Sequence, residues 1–210
     1  RFYEKNGEPI LRENSEVIQK FQDITEIEER RYANKEHMAS DLGYFAALNA
    51  IESSAIDPET LDYIIVAHNF GDIAPGSTRV DLLPTLGSRI KHKLGIKNPD
   101  CVAYDLPFGC PGWLQGMIQA DYYIRSGDAK RVLIIGTETL SRVTDPHDRD
   151  SMIYADGSGA TILEGRITEH EGILAHKTQT HTSAEAYYLY SGGSSNPDLI
   201  TDDQFIKMDG

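Results

Sequence analysis

Two cysteines in 210 residues rule out a disulfide-stapled scaffold, and neither they nor the seven histidines show zinc-ligand spacing. Long apolar runs are missing: Ile64–Ala67 and Val132–Ile135 fall far short of the roughly 20 residues a membrane span needs. Positive charge is scarce. With 20 Lys and Arg against 33 Asp and Glu, the formal charge of −13 disfavours a nucleic-acid partner. No Walker loop and no Gly-x-Ser-x-Gly elbow is present. Asp156-Gly157-Ser158-Gly159 lacks the glycine spacing of a dinucleotide loop, and Asp145, Asp148 and Asp150 lack the bidentate Glu of a calcium loop. A 40% hydrophobic content with mixed charge excludes disorder. A soluble, cytoplasmic, globular protein is therefore expected, long enough to bury about 70% of its unfolded surface.

The ends read as cuts inside a longer polypeptide: Arg1-Phe2-Tyr3-Glu4 lacks Met, and Phe205–Gly210 suits the beginning of a new element. Between them helices alternate with buried strands. A short helix is expected near Glu16–Phe21, then an amphipathic one over Met38–Ser54 with Leu42, Phe45, Ala46 and Ala50 as its buried stripe. Tyr63–Ala67 reads as a strand, residues 69–81 as a long loop. Pro84 suits the first turn of a helix buried through Leu86, Ile90 and Leu94 and capped by Gly95. Cys101–Leu106, Pro111–Ser126 and Arg131–Gly136 follow as strand, helix and strand. This is the pattern of an α/β, mostly parallel sheet with flanking helices. Ser151–Ala155 and Ala160–Leu163 around Asp-Gly suggest a closing antiparallel hairpin, Ile173–Thr180 a further strand, and Ser191–Pro197 a flexible loop.

Cys110 is the one residue with a chemical look. Gly109 and Gly112 permit a sharp bend, and Pro111 suits the first helical position, so the sulfur falls at a helix amino end. A helix terminus supplies about 0.3–2 kcal/mol, enough to lower a thiol pKa by about one unit. The free N–H groups there would also hold an oxyanion. Spacing alone leaves two readings open, an acyl-accepting nucleophile or a small buried hydrophobe. Cys101, at a strand start without a glycine bend, reads as packing. His68 is the best-placed candidate base, yet it reads more simply as a core or loop residue. His37, His92, His147, His170, His176 and His181 have no paired carboxylate to single them out.

Asp105–Gly112, Ala120, Ser126-Gly127, Leu133–Arg142, Asp145–Asp150 and Asp156–Ala160 resemble the β-ketoacyl-acyl-carrier-protein synthase III family, and the likeness runs from about Ile24 to Leu163. The resemblance implies a thiolase-like fold of two similar α/β halves, each with a mixed five-stranded sheet. Residues 1–210 are then expected to be the N-terminal half, without the opening strand and without the C-terminal half. Cys110 would take an acyl group from acyl-CoA or an acyl-carrier thioester. A malonyl-carrier thioester would lose carbon dioxide and attack it. The His and Asn that assist decarboxylation belong to the other half. Arg149, Leu83 and Leu140 would contact substrate, an acyl carrier protein would be the partner, a homodimer the assembly, and no cofactor or metal is implied.

Two positions depart from the pattern. Lys20 stands where the Trp of a coenzyme A clamp is expected, and Ile24 where a second contacting Arg is. Arg149 alone keeps its part of the clamp, so a carrier-protein primer is as well supported as coenzyme A. Leu83 replaces a bulky aromatic and would admit a longer or branched acyl chain. Arg89, Lys91, Lys93 and Lys97 form the only dense basic run, ordinarily a solvated helix face. Two rivals remain: another thiol-based acyl-transfer or hydrolytic enzyme on the same scaffold, or a non-catalytic dimerisation half-domain.

Overall fold

The computed structural model describes residues 1–167 and 172–209. Its centre is a four-stranded mixed sheet. β1 (Tyr63–His68) lies between β4 (Val102–Pro107) and β5 (Arg131–Thr139), all three parallel, and β6 (Asp156–Glu164) runs antiparallel along β5. Two short strands, β2 (Asp72–Ile73) and β3 (Val80–Asp81), form an antiparallel pair inside the expected loop. A second small pair, β7 (Leu189–Gly192) and β8 (Phe205–Met208), closes the chain.

Strand alternation divides the core between two faces. Ile64, Val66, Leu133 and Ile135 point toward α2 (Ala39–Ser54) and α3 (Leu86–Lys93). Ile65, Val132 and Ile134 point toward α4 (Gly112–Ser126). Both faces of β1 and β5 are covered, which is why they read as unbroken apolar runs. α1 (Asn14–Thr25) extends beyond both ends of the expected Glu16–Phe21. Gly95 and Gly127 take left-handed φ values of 72° and 83° where α3 and α4 end, as their positions implied. Pro84 lies just ahead of α3, whose cap is the Thr85 hydroxyl accepting from the Ser88 N–H.

Several expectations are corrected. The buried side of α2 is Ala39, Ser40, Gly43, Ala47 and Ile51, while Phe45 is 42% exposed. A Cβ on Gly43 would come within 2.6 Å of Ile90, so α2 approaches α3 along its small residues and turns its bulkier ones outward. Asp156-Gly157 is no hairpin turn: both residues stand in the β5–β6 ladder opposite Thr139 and Glu138. The Asp156 carboxylate accepts from the Ser141 N–H, the Ser141 hydroxyl and the Ala33 N–H, tying two loops to the head of β6. Residues 149–153 form a 3-10 helix instead of a strand. Ile173–Thr180 carries no regular structure and is mostly exposed. Cys101 is buried, as expected, and burial pushes its thiol pKa up.

The Ser191–Pro197 stretch is anchored, not free. The buried Lys207 ammonium donates to Asp145 at 2.6 Å, Asp148 at 3.1 Å and the Ser195 hydroxyl at 2.7 Å. Asp145 also accepts from the Ser195 and His147 N–H groups. Burial alone would raise the Asp145 pKa, but Lys207 and these donors outweigh it and hold the carboxyl below its ordinary value. Lys207→Met leaves that carboxylate buried without its cation. Urea denaturation should show a loss of about 3–5 kcal/mol.

Candidate active site

Cys110 is exposed on the four-residue turn, Phe108 to Pro111, between β4 and α4, and Gly109 supplies the left-handed bend with φ 69°. What aims the turn is the close approach of α4 to the sheet. A Cβ on Gly112 would lie 2.9 Å from the Ala67 Cβ, and one on Gly136 would lie 3.3 Å from the Trp113 Cβ. The amino end of α4 thus crosses from the tip of β4 over β1 toward β5, bringing its free N–H groups and dipole beside the sulfur.

The strand end below is fastened by a carboxylate. Asp105, in β4, accepts from the Leu86 N–H at 2.8 Å and the Gly87 N–H at 2.7 Å at the start of α3. It also sits 2.9 Å from His68 Nε2, while His68 Nδ1 accepts from the Gly71 N–H. Burial would raise Asp105; His68 and the two backbone donors overcome it and depress its pKa. Both ring nitrogens of His68 are therefore engaged within the fold, and the residue is 3% exposed. That supports the structural reading of His68 over a free base.

Behind the turn, the Glu138 carboxylate accepts from the Asn69 backbone N–H at 2.6 Å and side-chain amide at 3.1 Å. Asn69 Oδ1 in turn would lie 3.6 Å from a Cβ on Gly109. Burial pushes the Glu138 pKa up. Glu138 Oε1, the Thr139 hydroxyl and the Tyr154 hydroxyl are all buried without a hydrogen-bond partner among the described residues. Glu138 and Thr139 end β5 and, as successive strand residues, point to opposite faces, Glu138 to the α4 side with Ile134 and Thr139 to the α2 side with Ile135; Tyr154 lies just ahead of β6. None of them stood out in the sequence. Tyr154 was hidden by the strand assigned to 151–155, although an aromatic just ahead of the Asp156–Ala160 motif was a usable signal.

Residues 104–182, which hold this edge and Cys110, match the family model for 3-oxoacyl-[acyl-carrier-protein] synthase III. The chain carries a domain of that family. Over 165 residues it is 38% identical to a β-ketoacyl-[acyl-carrier-protein] synthase III of Vibrio vulnificus, covering 78% of this chain and 47% of that protein. Among solved structures, the synthase III of Thermus thermophilus superposes with a TM-score of 0.68 at 30% identity, covering 89% of this chain and 55% of that one. The Pseudomonas aeruginosa structure gives 0.73 at 23% identity, over 94% and 56%, and shows the fold. The architecture is thus the thiolase-like α/β fold, and the chain spans about half the length of the curated relatives it matches.

The other expected site residues of this synthase III relative lie on separate elements. Arg149 lines a cavity of about 640 Å³ together with Lys20 and Ile24, the positions the clamp resemblance singled out. The cavity lining does not include Cys110. Arg149 is exposed and faces Glu4 at 3.4 Å and Asp150 at 3.7 Å. Leu83 is 82% exposed between β3 and α3, and Leu140 opens the 3-10 helix after β5. Three of the four cations in the basic run are used inside the fold. Arg89 pairs with Asp72 and Asp81, Lys91 donates to the Asn98 and Cys101 carbonyls, and Lys93 pairs with Asp41. Among the described residues no group of three His, Cys, Asp or Glu side chains converges to hold a metal.

Because the folded Asp105 and Asp145 pKa values lie below their unfolded ones, both contribute stability that is complete above the unfolded value, about 3.9. That stability is lost as pH falls through the folded values. Urea midpoints measured from pH 6 to pH 2 should decline mainly below about pH 4. Asp105→Asn should flatten the decline and lower the midpoint at pH 6.

Proposed function

We propose that this chain is the N-terminal half of a thiolase-like condensing enzyme and supplies its acyl-accepting site, with Cys110 as the nucleophile. The thiolate attacks the carbonyl of an acyl thioester, and backbone N–H groups at the start of α4 face the charge that develops on the oxygen. The carbon–sulfur bond to the carrier then breaks, and the carrier thiolate leaves and takes up a proton. In the second stage a malonyl-carrier thioester loses carbon dioxide, and its carbanion forms a carbon–carbon bond with the acyl carbon, expelling the Cys110 thiolate. The relatives are named for an acyl-carrier-protein reaction of this kind.

One observation carries the reading: inside the matched span the only exposed cysteine stands on a glycine-bent turn at the amino end of a 15-residue helix. The resemblance assigns the decarboxylating His and Asn to the other half, so acylation is the step that these residues perform. An acyl carrier protein is the proposed partner and a homodimer the proposed assembly. The internal pairing of Arg89, Lys91 and Lys93 takes that run out of carrier docking. Arg149, beside Lys20 and Ile24, is proposed to meet the carrier arm of the primer, coenzyme A or protein. Exposed Leu83 leaves room for a longer or branched acyl chain, and Leu140 is proposed to line its path.

Incubation with an acyl thioester should add one acyl group to the intact mass, and Cys110→Ala should abolish the adduct. An unmodified wild-type chain supports the non-catalytic rival instead. Release of free acid from the adduct, without condensation when malonyl thioester and the complete enzyme are supplied, supports the hydrolytic one.

A further inference from the structure

Three strand ends are joined beside Cys110 by one pair of side chains. Glu138 lies near the end of β5, Asn69 directly follows β1, and Gly109 lies two residues beyond the end of β4. Ala67 and Gly136 stand opposite one another in the sheet, and both meet the amino end of α4. Glu138, two residues past Gly136, points to that same face.

The turn that carries Cys110 is short of constraint at one joint. The Gly112 N–H donates to the Gly109 carbonyl at 3.0 Å, closing a loop whose central residues are Cys110 and Pro111. Pro111 fixes its own φ and restricts the residue ahead of it, which is Cys110. Gly112 is pinned by its approach to Ala67. Gly109 has neither restraint. Without a Cβ it takes positive and negative φ about equally readily, yet it is held at 69°.

What stands against Gly109 is Asn69. Outside the residues next to it, the nearest atom to the Gly109 Cβ position is Asn69 Oδ1 at 3.6 Å. That carboxamide is tied at both ends, because Glu138 Oε2 accepts from the Asn69 backbone N–H at 2.6 Å and from its side-chain amide at 3.1 Å. The second carboxylate oxygen, Oε1, is buried without a partner among the described residues, and burial pushes the Glu138 pKa up. The carboxylate thus costs stability where it stands, and what it holds is a side chain that is itself exposed.

We infer that Glu138 is a positioning residue for Cys110: through Asn69 it holds Gly109 in the bend that presents the sulfur at the amino end of α4. The inference rests on the nucleophilic role proposed above for Cys110. Glu138 and Asn69 exchange neither a proton nor a bond with substrate in this role. They limit the conformations of the turn, so they act on the rate of acylation and not on the affinity for the thioester.

The test reads two quantities in the chain: hydrogen exchange of the Gly112 amide by NMR, and acylation of Cys110 by butyryl-coenzyme A, followed by intact mass. Glu138→Ala and Asn69→Ala should each speed Gly112 exchange about tenfold. Each should lower the limiting acylation rate by about the same factor, with the half-saturating thioester concentration unchanged. Because the two residues act in series, the two substitutions combined should do no more than either alone. Glu138→Gln keeps an acceptor for Asn69 and should stay within about twofold of wild type on both readouts. Exchange of the Ile134 amide, in the middle of β5, should not accelerate. Unchanged Gly112 exchange in both alanine variants overturns the inference, as do additive losses in the combined variant or a glutamine variant as impaired as the alanine one. Equal acceleration at Gly112 and Ile134 marks a general loss of stability and overturns it too. So does faster Gly112 exchange with an unaltered acylation rate. A wild-type chain that butyryl-coenzyme A leaves unmodified, while the variants show the expected exchange pattern, upholds the hold on the turn and overturns the nucleophile reading.

Discussion

The amino end of α4 rests on the sheet with almost no side chain between them, and the geometry of the cysteine turn follows from that contact. At Gly112 an added Cβ would meet Ala67 at 2.9 Å, and at Gly116 one would meet Ile134 at 2.8 Å. Larger residues at either position would lift the helix and with it the turn that carries Cys110. The contact works because the sheet below is fixed on both sides. Apolar residues of β1 and β5 are buried against α2 and α3 on one face and against α4 on the other. Asp105 holds β4 to the start of α3, so the strand leading into the turn cannot shift independently of the helices.

Asp105 is one of several carboxylates used in this way, and together they give the acidic composition a structural role. Asp62 accepts from the Lys130 and Arg131 N–H groups, Glu59 from those of Lys97 and Asn98, and Asp72 from Ser40 and Arg89. Asp145 and Asp156 gather the loops around β6 and β8. A carboxylate accepts several N–H donors at once, which suits connections whose backbone groups find no ladder partner. Part of the charge surplus therefore answers a backbone requirement of the loops, and does not by itself report the sign of a binding partner.

The contrast between what was legible in the sequence and what was not has the same origin. The α/β alternation could be read because β1 and β5, covered on both faces, leave unbroken apolar runs, and because Gly95 and Gly127 mark the ends of their helices. Cys110 could be read from its flanking glycines and Pro111. Features decided by distant partners could not. The buried face of α2 is set by the approach of Ile90 to Gly43. Asp156-Gly157 carries a hairpin signature but is drawn into a ladder by a nine-residue match with β5. Ile173–Thr180 alternates as a strand would, yet it pairs with neither edge strand of the central sheet, β4 or β6. Lys207 carries no local signal in the sequence, and only the fold brings it to Asp145. Arg149, Leu83 and Leu140 come from resemblance alone.

Unpaired polar atoms are not scattered through this fold. Apart from His68 Nε2, which faces Asp105 at 2.9 Å, those among the described residues belong to Glu138, Thr139 and Tyr154. Glu138 and Thr139 stand at the end of β5 on opposite faces of the sheet, and Tyr154 precedes β6. The opposite edge of the sheet contains comparable groups, and there Asp62 pairs with its backbone donors. A chain able to satisfy one edge so fully had no general obstacle to satisfying the other. Folding stability disfavours the difference, since each buried orphan costs free energy. Such orphans are satisfied by groups from outside the described residues, whether a ligand or the half of the family fold that these residues do not span. In an α/β sheet ligands reach the carboxyl ends of the strands, and the turn that carries Cys110 follows the carboxyl end of β4.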